Sequence, residues 1–389
     1  MNKTTDTPLI DNVGSSNRIG LEWGLGNNVM SVVRSMIGKT ELVYPIPRDN
    51  YIKPPAFNLD MIAVGTTSLG YWGGVLAPNG KVYAIPHSAT TVIEFDPINR
   101  TATSFGSLSA TSSKWAGGVL APDGKIYCAP RLMTTVLEID PVKRTTVEYA
   151  HVGGTYNGAI MGMNGKVYFM PYTTTSGDVM EFDPMTKQMK TFGNVGTTIF
   201  NGGVLAPNGK IICIPYSADQ FGVIDTENLT IRTVTSDSSG ASNSRYGGGV
   251  LAPNGKIYCI PFNGQEILVI DPVTEQSYTF GSLSSGTGKW QGGFLGPDGN
   301  IYGVPYGAND GTTGLKNILK IDWFRETVEQ FVIPNYLVAA GQGSSFTGGI
   351  VTPMGRALLL PMSFDGALVM DFGIPVNENA CLSRTENKF

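Results

Sequence analysis

One short phrase returns seven times in this chain of 389 residues. It reads WGGVLAPNGK at 72–81, AGGVLAPDGK at 116–125, NGAIMGMNGK at 157–166, NGGVLAPNGK at 201–210, GGGVLAPNGK at 247–256, QGGFLGPDGN at 291–300 and TGGIVTPMGR at 347–356. In every copy a proline stands six residues after the turn glycine, from Gly80 and Pro86 through to Gly355 and Pro361. The turn glycines, at 80, 124, 165, 209, 255, 299 and 355, are 44, 41, 44, 46, 44 and 56 residues apart. That period matches a four-stranded propeller blade and exceeds most helical or solenoid repeats.

The second copy shows how a repeat makes a blade. Residues 117–122 are a short apolar run ending at Asp123-Gly124, a dipeptide suited to the positive φ of a tight hairpin. KIYCAP at 125–130 is a second strand, and its proline belongs where the ladder stops. TVLEID at 135–140 is a third strand, closed by the turn pair Asp140-Pro141, and TTVEY at 145–149 is a fourth. The predicted fold is all-β: a seven-bladed β-propeller of four-stranded antiparallel blades. The aspartates at 96, 140, 183, 225, 271, 322 and 371 recur at strand ends, which marks them as turn formers rather than a ring of acids. The glycine pairs open strands and precede no helix, so they are not phosphate loops; relief of crowding between converging inner strands explains them.

The seventh copy loses the pattern after Asp371, before a fourth strand. LDMIAVG at 59–65 resembles the fourth strands of the other copies and is expected to complete blade seven, so that the ring closes on an N-terminal strand. The domains are then an N-terminal arm at 1–56, the propeller at 57–372 and a tail at 373–389. Within the arm, residues 26–39 carry Val29, Met30, Val32, Val33, Met36 and Ile37, the spacing of a short apolar helical face, followed by a proline-stiffened connector. The arm is read as wrapping the propeller or docking on a partner.

Charged residues make up 15% of the chain, against about a quarter in ordinary globular proteins, and the net charge is −4. No basic block is present to neutralise phosphates, so nucleic acid is not an expected partner. The apolar run of the arm is too short and polar for membrane insertion, and MNKTTDTPLIDN lacks the order of a signal peptide. Cys128, Cys213 and Cys259 occupy one equivalent position in three blades, too far apart to pair, and Cys381 lies in the tail; synthesis in a reducing cytosol follows.

Two rings of residues are expected on one face of the propeller. The first is Tyr71, Trp115, Tyr156, Phe200, Tyr246, Trp290 and Phe346, and the second is His87, Arg131, Tyr172, Tyr216, Phe262, Tyr306 and Met362. These rings, beside Asn157, Asn201, Gln291, Lys114, Lys289 and Arg245, either stack on sugars or anchor a partner, or else wedge between neighbouring blades. Two insertions on the same face, residues 236–245 and 306–316, break the repeat and are where recognition is expected. Catalytic signals are sparse. The two histidines, His87 and His151, have no metal-ligand spacing, no nucleophile elbow or calcium loop occurs, and Asp219, Asp310 and Asp365 are the carboxylates nearest the axial mouth. The expectation is therefore no enzyme, no cofactor and no metal.

The phrase GGVLAPNGKIYCIP, followed by an aliphatic strand and IDP, resembles the repeat of propeller proteins that include ones encoded by tailed bacteriophages. The resemblance covers residues 57–372, and it carries over no catalytic residue. It implies a non-enzymatic virion component of tail, baseplate or collar, made in the host cytoplasm, joined to other virion proteins through residues 1–56. The alternative is a lectin-like propeller that binds a host-surface glycan. A hydrolase or lactonase-type propeller is the third reading.

Overall fold

The computed structural model describes the backbone of residues 18–25 and 28–35, and then residues 57–64, 70–151, 153–172, 177–217, 219–238, 244–307, 316–334, 336–337 and 345–373. The chain forms two compact units, Met1–Pro54 and Pro55–Phe389. In the first, strands β1 (Arg18–Leu25) and β2 (Asn28–Ser35) pair antiparallel, with Leu25 opposite Asn28. The helical face expected over 26–39 is thus corrected: Asn28–Ser35 is extended. Its valines are β-branched and its neighbour sequence Gly26-Asn27 is a hairpin dipeptide, so strand pairing prevails over a three-turn apolar periodicity.

The second unit is the propeller, and among the described residues it is built of seven four-stranded antiparallel sheets. Strand β3 (Asn58–Ala63) comes first in the chain. Blade one then runs outward through β4 (Tyr71–Leu76), β5 (Val82–Pro86), β6 (Val92–Asp96) and β7 (Thr101–Phe105). The inner three strands are almost wholly buried and the outermost alternates between exposed and half-buried, as its polar sequence requires. Blade seven takes Phe346–Val351, Arg356–Pro361 and Gly366–Asp371 from the end of the chain and β3 from its beginning, with Asn58 opposite Asp371 and Ala63 opposite Gly366. The expected closure is therefore present.

Each blade's inner hairpin carries a bulge: Tyr71 pairs Pro86 and the next partners are Gly74 and Ala84. The two glycines between serve different ends. Gly73 sits at φ +74°, the left-handed conformation that the bulge demands. Gly74 has an ordinary φ, and a Cβ there would stand 2.1 Å from Leu360 Cδ1 of the preceding blade and 2.8 Å from the Tyr83 carbonyl. The crowding that glycine relieves thus lies in the seam between blades.

The recurring aspartates do form turns. Asp96 Oδ1 accepts the Ile98 and Asn99 amides at 3.0 and 2.9 Å, and Asp140, Asp183, Asp225, Asp271 and Asp322 repeat the pattern. The Met185 and Thr186 amides hold the Asp183 carboxyl below its ordinary pKa. After each aspartate a non-glycine residue adopts positive φ: Arg100, Arg144, Lys187, Leu229, Glu275 and Glu326. These residues reach back to the preceding blade. Arg100 meets Asp60, Arg144 meets Glu94 at 3.2 Å, and Lys187 meets Glu138 at 3.1 Å and Asp123 at 3.2 Å. With the signs reversed, Glu275 holds Lys210 and Arg232, and Glu326 accepts the Tyr278 hydroxyl. Leu229 enters the apolar cluster of Ile160, Tyr168 and Phe192. Cys128, Cys213 and Cys259 are free and buried in these cores.

Candidate functional site

The loops entering the innermost strands and those leaving the second strands meet on one face, as expected, and there the backbone is joined from blade to blade. Gly70 N–H donates to the Met362 carbonyl, His87 N–H to Gly70, Lys114 N–H to His87, and Arg131 N–H to Lys114. The same alternation runs from Tyr216 through Arg245, Phe262, Lys289, Tyr306 and Ser345 to Met362. Among the described residues these bonds tie the rim of the axial mouth across five of the seven blade junctions.

The first aromatic ring lies beneath the rim and is packing. Tyr71, Trp115, Tyr156, Phe200, Tyr246, Trp290 and Phe346 are each 0–2% exposed. Trp115 and Trp290 donate their indole N–H to the carbonyls of Thr135 and Asn317, both at 2.7 Å, and the Tyr71 hydroxyl donates to the Thr91 carbonyl at 3.0 Å. These three bonds tie the inner strands of blades one, two and six to their own third strands, and the bulge turns all seven rings into the seam, buried away from any ligand at the mouth. The lysines beside them are also inward. Lys289 Nζ donates to the carbonyls of Gly264, Ser284 and Gly286 at 2.7–3.1 Å, and burial brings its pKa down to about 8. Lys114 Nζ donates to Thr111 O, and Arg245 pairs with Asp219 at 2.5 Å and donates to the Ser238 hydroxyl.

The second ring is different. Arg131, Tyr172, Tyr216, Phe262, Tyr306 and Met362 are half-buried, while His87 is 5% exposed. Ring centroids run from Tyr172 to Tyr216 (5.7 Å), Phe262 (6.3 Å) and Tyr306 (5.3 Å), with interplanar angles of 45–53°. The circle is closed by Trp72, which the sequence reading did not single out. Trp72 lies 6.0 Å from Tyr306 and 5.0 Å from the Arg131 guanidinium, which in turn lies 4.4 Å from the Tyr172 ring. Trp72 of blade one thus bridges residues from blades two and six, which places it across the axis. The equivalent positions in other blades are Ala116, Asn157, Asn201, Gly247, Gln291 and Thr347. Asn157 donates to Asn201 at 2.9 Å, and Asn201 and Gln291 bond across blade five, so this layer is a polar floor interrupted by one indole. The signal was available: only in the first copy does an aromatic residue precede the glycine pair.

Trp72 Nε1, His87 Nε2, Arg131 Nη1 and Asn157 Oδ1 at this mouth are all buried and have no hydrogen-bond partner among the described residues. Burial above all, then Arg131 and Lys114, pushes the His87 pKa down to about 4, so the ring is neutral at pH 7. Burial raises the Tyr172 phenol to about 12 against the opposing pull of Arg131. Most of the two insertions, residues 239–243 and 308–315, and with them Asp310, lies outside the described residues. The backbone carbonyl of Asp365 accepts the Val64 amide at 2.7 Å, which continues the pairing of β3 at the outer side of blade seven. Among the described residues no group of three or more His, Cys, Asp or Glu side chains could hold a metal ion, and no helix is long and apolar enough to cross a membrane.

No protein-family model and no curated protein sequence matches the chain. Solved structures do. A streptogramin B lyase is 14% identical with a TM-score of 0.67, covering 81% of this chain and 98% of its own. Virginiamycin B lyase from Staphylococcus aureus gives 14% and 0.67 over 81% of this chain and 99% of its own. YCF48 bound to the D1 peptide gives 12% and 0.59, covering 82% and 99%. These likenesses show the seven-bladed fold. They also correct the expectation that a chain of this type is no enzyme, since two of the three proteins are named as lyases. The absence of sequential catalytic motifs was a weak ground for that exclusion: a site at a propeller mouth takes single residues from separate blades, and these form no motif.

Proposed function

We propose that this protein is a recognition propeller whose axial mouth takes a ring-shaped polar ligand, a saccharide. The observation that carries the reading is the closed circle of Trp72, Arg131, Tyr172, Tyr216, Phe262 and Tyr306. Rings tilted against one another, half-buried apart from the buried Trp72, offer apolar faces to the C–H surface of a sugar, and the three tyrosine hydroxyls and the unbonded polar atoms beside them offer hydrogen bonds. Backbone bonds that tie the rim from blade to blade lower the ordering cost of binding. Glycan-array binding of the full chain tests this. Tyr216→Ala and Tyr306→Ala are expected to reduce binding at least tenfold with the fold retained, whereas an array without a single bound saccharide overturns the reading.

A second reading concerns setting: attachment to a larger assembly, such as a virion tail, baseplate or collar, through the N-terminal segment. It draws on the repeat's resemblance and on the hairpin of β1 and β2 in a compact unit of its own. Sedimentation of the protein as a free species in lysate of its source, rather than with particles, would count against it.

A further inference from the structure

The unbonded atoms at the mouth are not scattered. Three of them belong to side chains in direct succession: the Arg131 guanidinium over Trp72 at 5.0 Å, and the Trp72 ring against His87 at 5.1 Å and 32°. Trp72 and His87 are 7% and 5% exposed, so water cannot substitute freely for a missing partner. Two of the three are donors only, since indole and guanidinium nitrogens have no acceptor capacity. His87 Nδ1 lies 3.3 Å from Ser88 Oγ, and when that hydroxyl donates to Nδ1 the ring proton sits on Nε2 and makes it a third donor.

Charge points the same way. Arg131 has no carboxylate partner among the described residues, and the charged groups that act on His87 are Arg131 and Lys114, both cations. A half-buried guanidinium with no counter-ion among the described residues, beside the buried indole N–H and His87 Nε2 carrying the ring proton, is complementary to an oxyanion. The circle of aromatic faces continues directly from Arg131 through Tyr172.

We propose that Trp72, His87 and Arg131 form a carboxylate receptor at the propeller mouth, and that the saccharide it serves is an acidic one whose ring lies on Tyr172 and its neighbours. This inference rests on the saccharide reading above for the ring, and on the three donors for the charge.

The experiment titrates the full chain with glucuronate, with its uncharged methyl ester and with acetate, following indole fluorescence and calorimetric heat. Glucuronate is expected to bind at least tenfold more tightly than the ester. Arg131→Gln should abolish that preference, and Arg131→Lys, which keeps the charge but not the fork, should restore it only in part. Trp72→Phe, which keeps the ring and removes the N–H, guards against a folding defect and should weaken glucuronate more than the ester. Equal affinity for acid and ester, or a preference surviving in Arg131→Gln, overturns the carboxylate receptor and leaves the saccharide reading standing. Acetate bound through Arg131 with neither sugar bound overturns the saccharide reading and keeps the receptor. Silence from all three probes overturns both.

Discussion

His87 shows how much one position in a repeat can differ from its equivalents. Six other blades place Arg, Tyr, Phe or Met at the site, whereas His87 is buried beside Arg131 and Lys114. Its folded pKa of about 4 lies below the ordinary 6.5. The unfolded chain therefore takes up the proton first as pH falls. Stability from the neutral ring is complete above about pH 6.5 and is lost progressively toward pH 4, up to about 3 kcal/mol in all. Urea unfolding at pH 7 and pH 4.5 should show a larger loss in the wild type than in His87→Gln; equal losses would place the acid sensitivity elsewhere. The glycine pairs were read as one device against crowding, but Gly73 supplies a positive φ and Gly74 clears Leu360. Composition identifies a glycine, while its reason depends on what packs against it.

Between blades, the turn after the third strand acts as a directed staple. Glu138 is 3% exposed and is held by Lys125 from its own blade, by the Tyr127 and Tyr149 hydroxyls, and by Lys187 from the next blade. Burial alone would raise its pKa, and these four donors together bring it below the ordinary value. Lys187→Ala is expected to cost about 1–3 kcal/mol, since it leaves a buried carboxylate under-compensated and keeps a Cβ at φ +61°. Lys187→Gly should cost less by about 1 kcal/mol, because glycine relieves the backbone. Denaturant titration of both variants separates charge from strain, and wild-type stability in both would dismiss the staple. The Lys-x-Tyr of the second strand and the Glu of the third, at 81, 83 and 94, at 125, 127 and 138, and at 166, 168 and 181, were legible as a pattern. The partner from the neighbouring blade, Arg144 for Glu94 and Lys187 for Glu138, was not, since it comes from a turn position of the next repeat whose residue type changes around the ring and is the apolar Leu229 after the third set.

For the whole molecule, closure rests on β3. Removing residues 1–65 takes away the six partners of Gly366–Asp371, leaves that edge unpaired, and uncovers Ala367 and Val369 in the cluster that Ile62 completes in the intact ring. The truncated chain is expected to elute as aggregate in light-scattering chromatography; a soluble monomer with an unchanged melting temperature would disprove the role of β3. The mouth is a property of this closed ring, because Trp72 meets Arg131 and Tyr306 only when blades one, two and six face a common axis.

The blade count, the strands, the turns and the closing strand could be read directly from residue order, since each depends on interactions within one repeat or on strict recurrence of it. Seven equal offsets between turn glycine and proline leave little freedom for another fold. Which aromatic ring faces solvent was decided only by the tertiary structure. Both rings recur once per blade and look alike in sequence, but a bulge of one residue turns Tyr71 and its equivalents into the seam, while the residues after the strand-ending proline remain at the rim. The juxtaposition of Trp72, His87 and Arg131 arises from two blades and the packing between them, and no spacing along the chain encodes it.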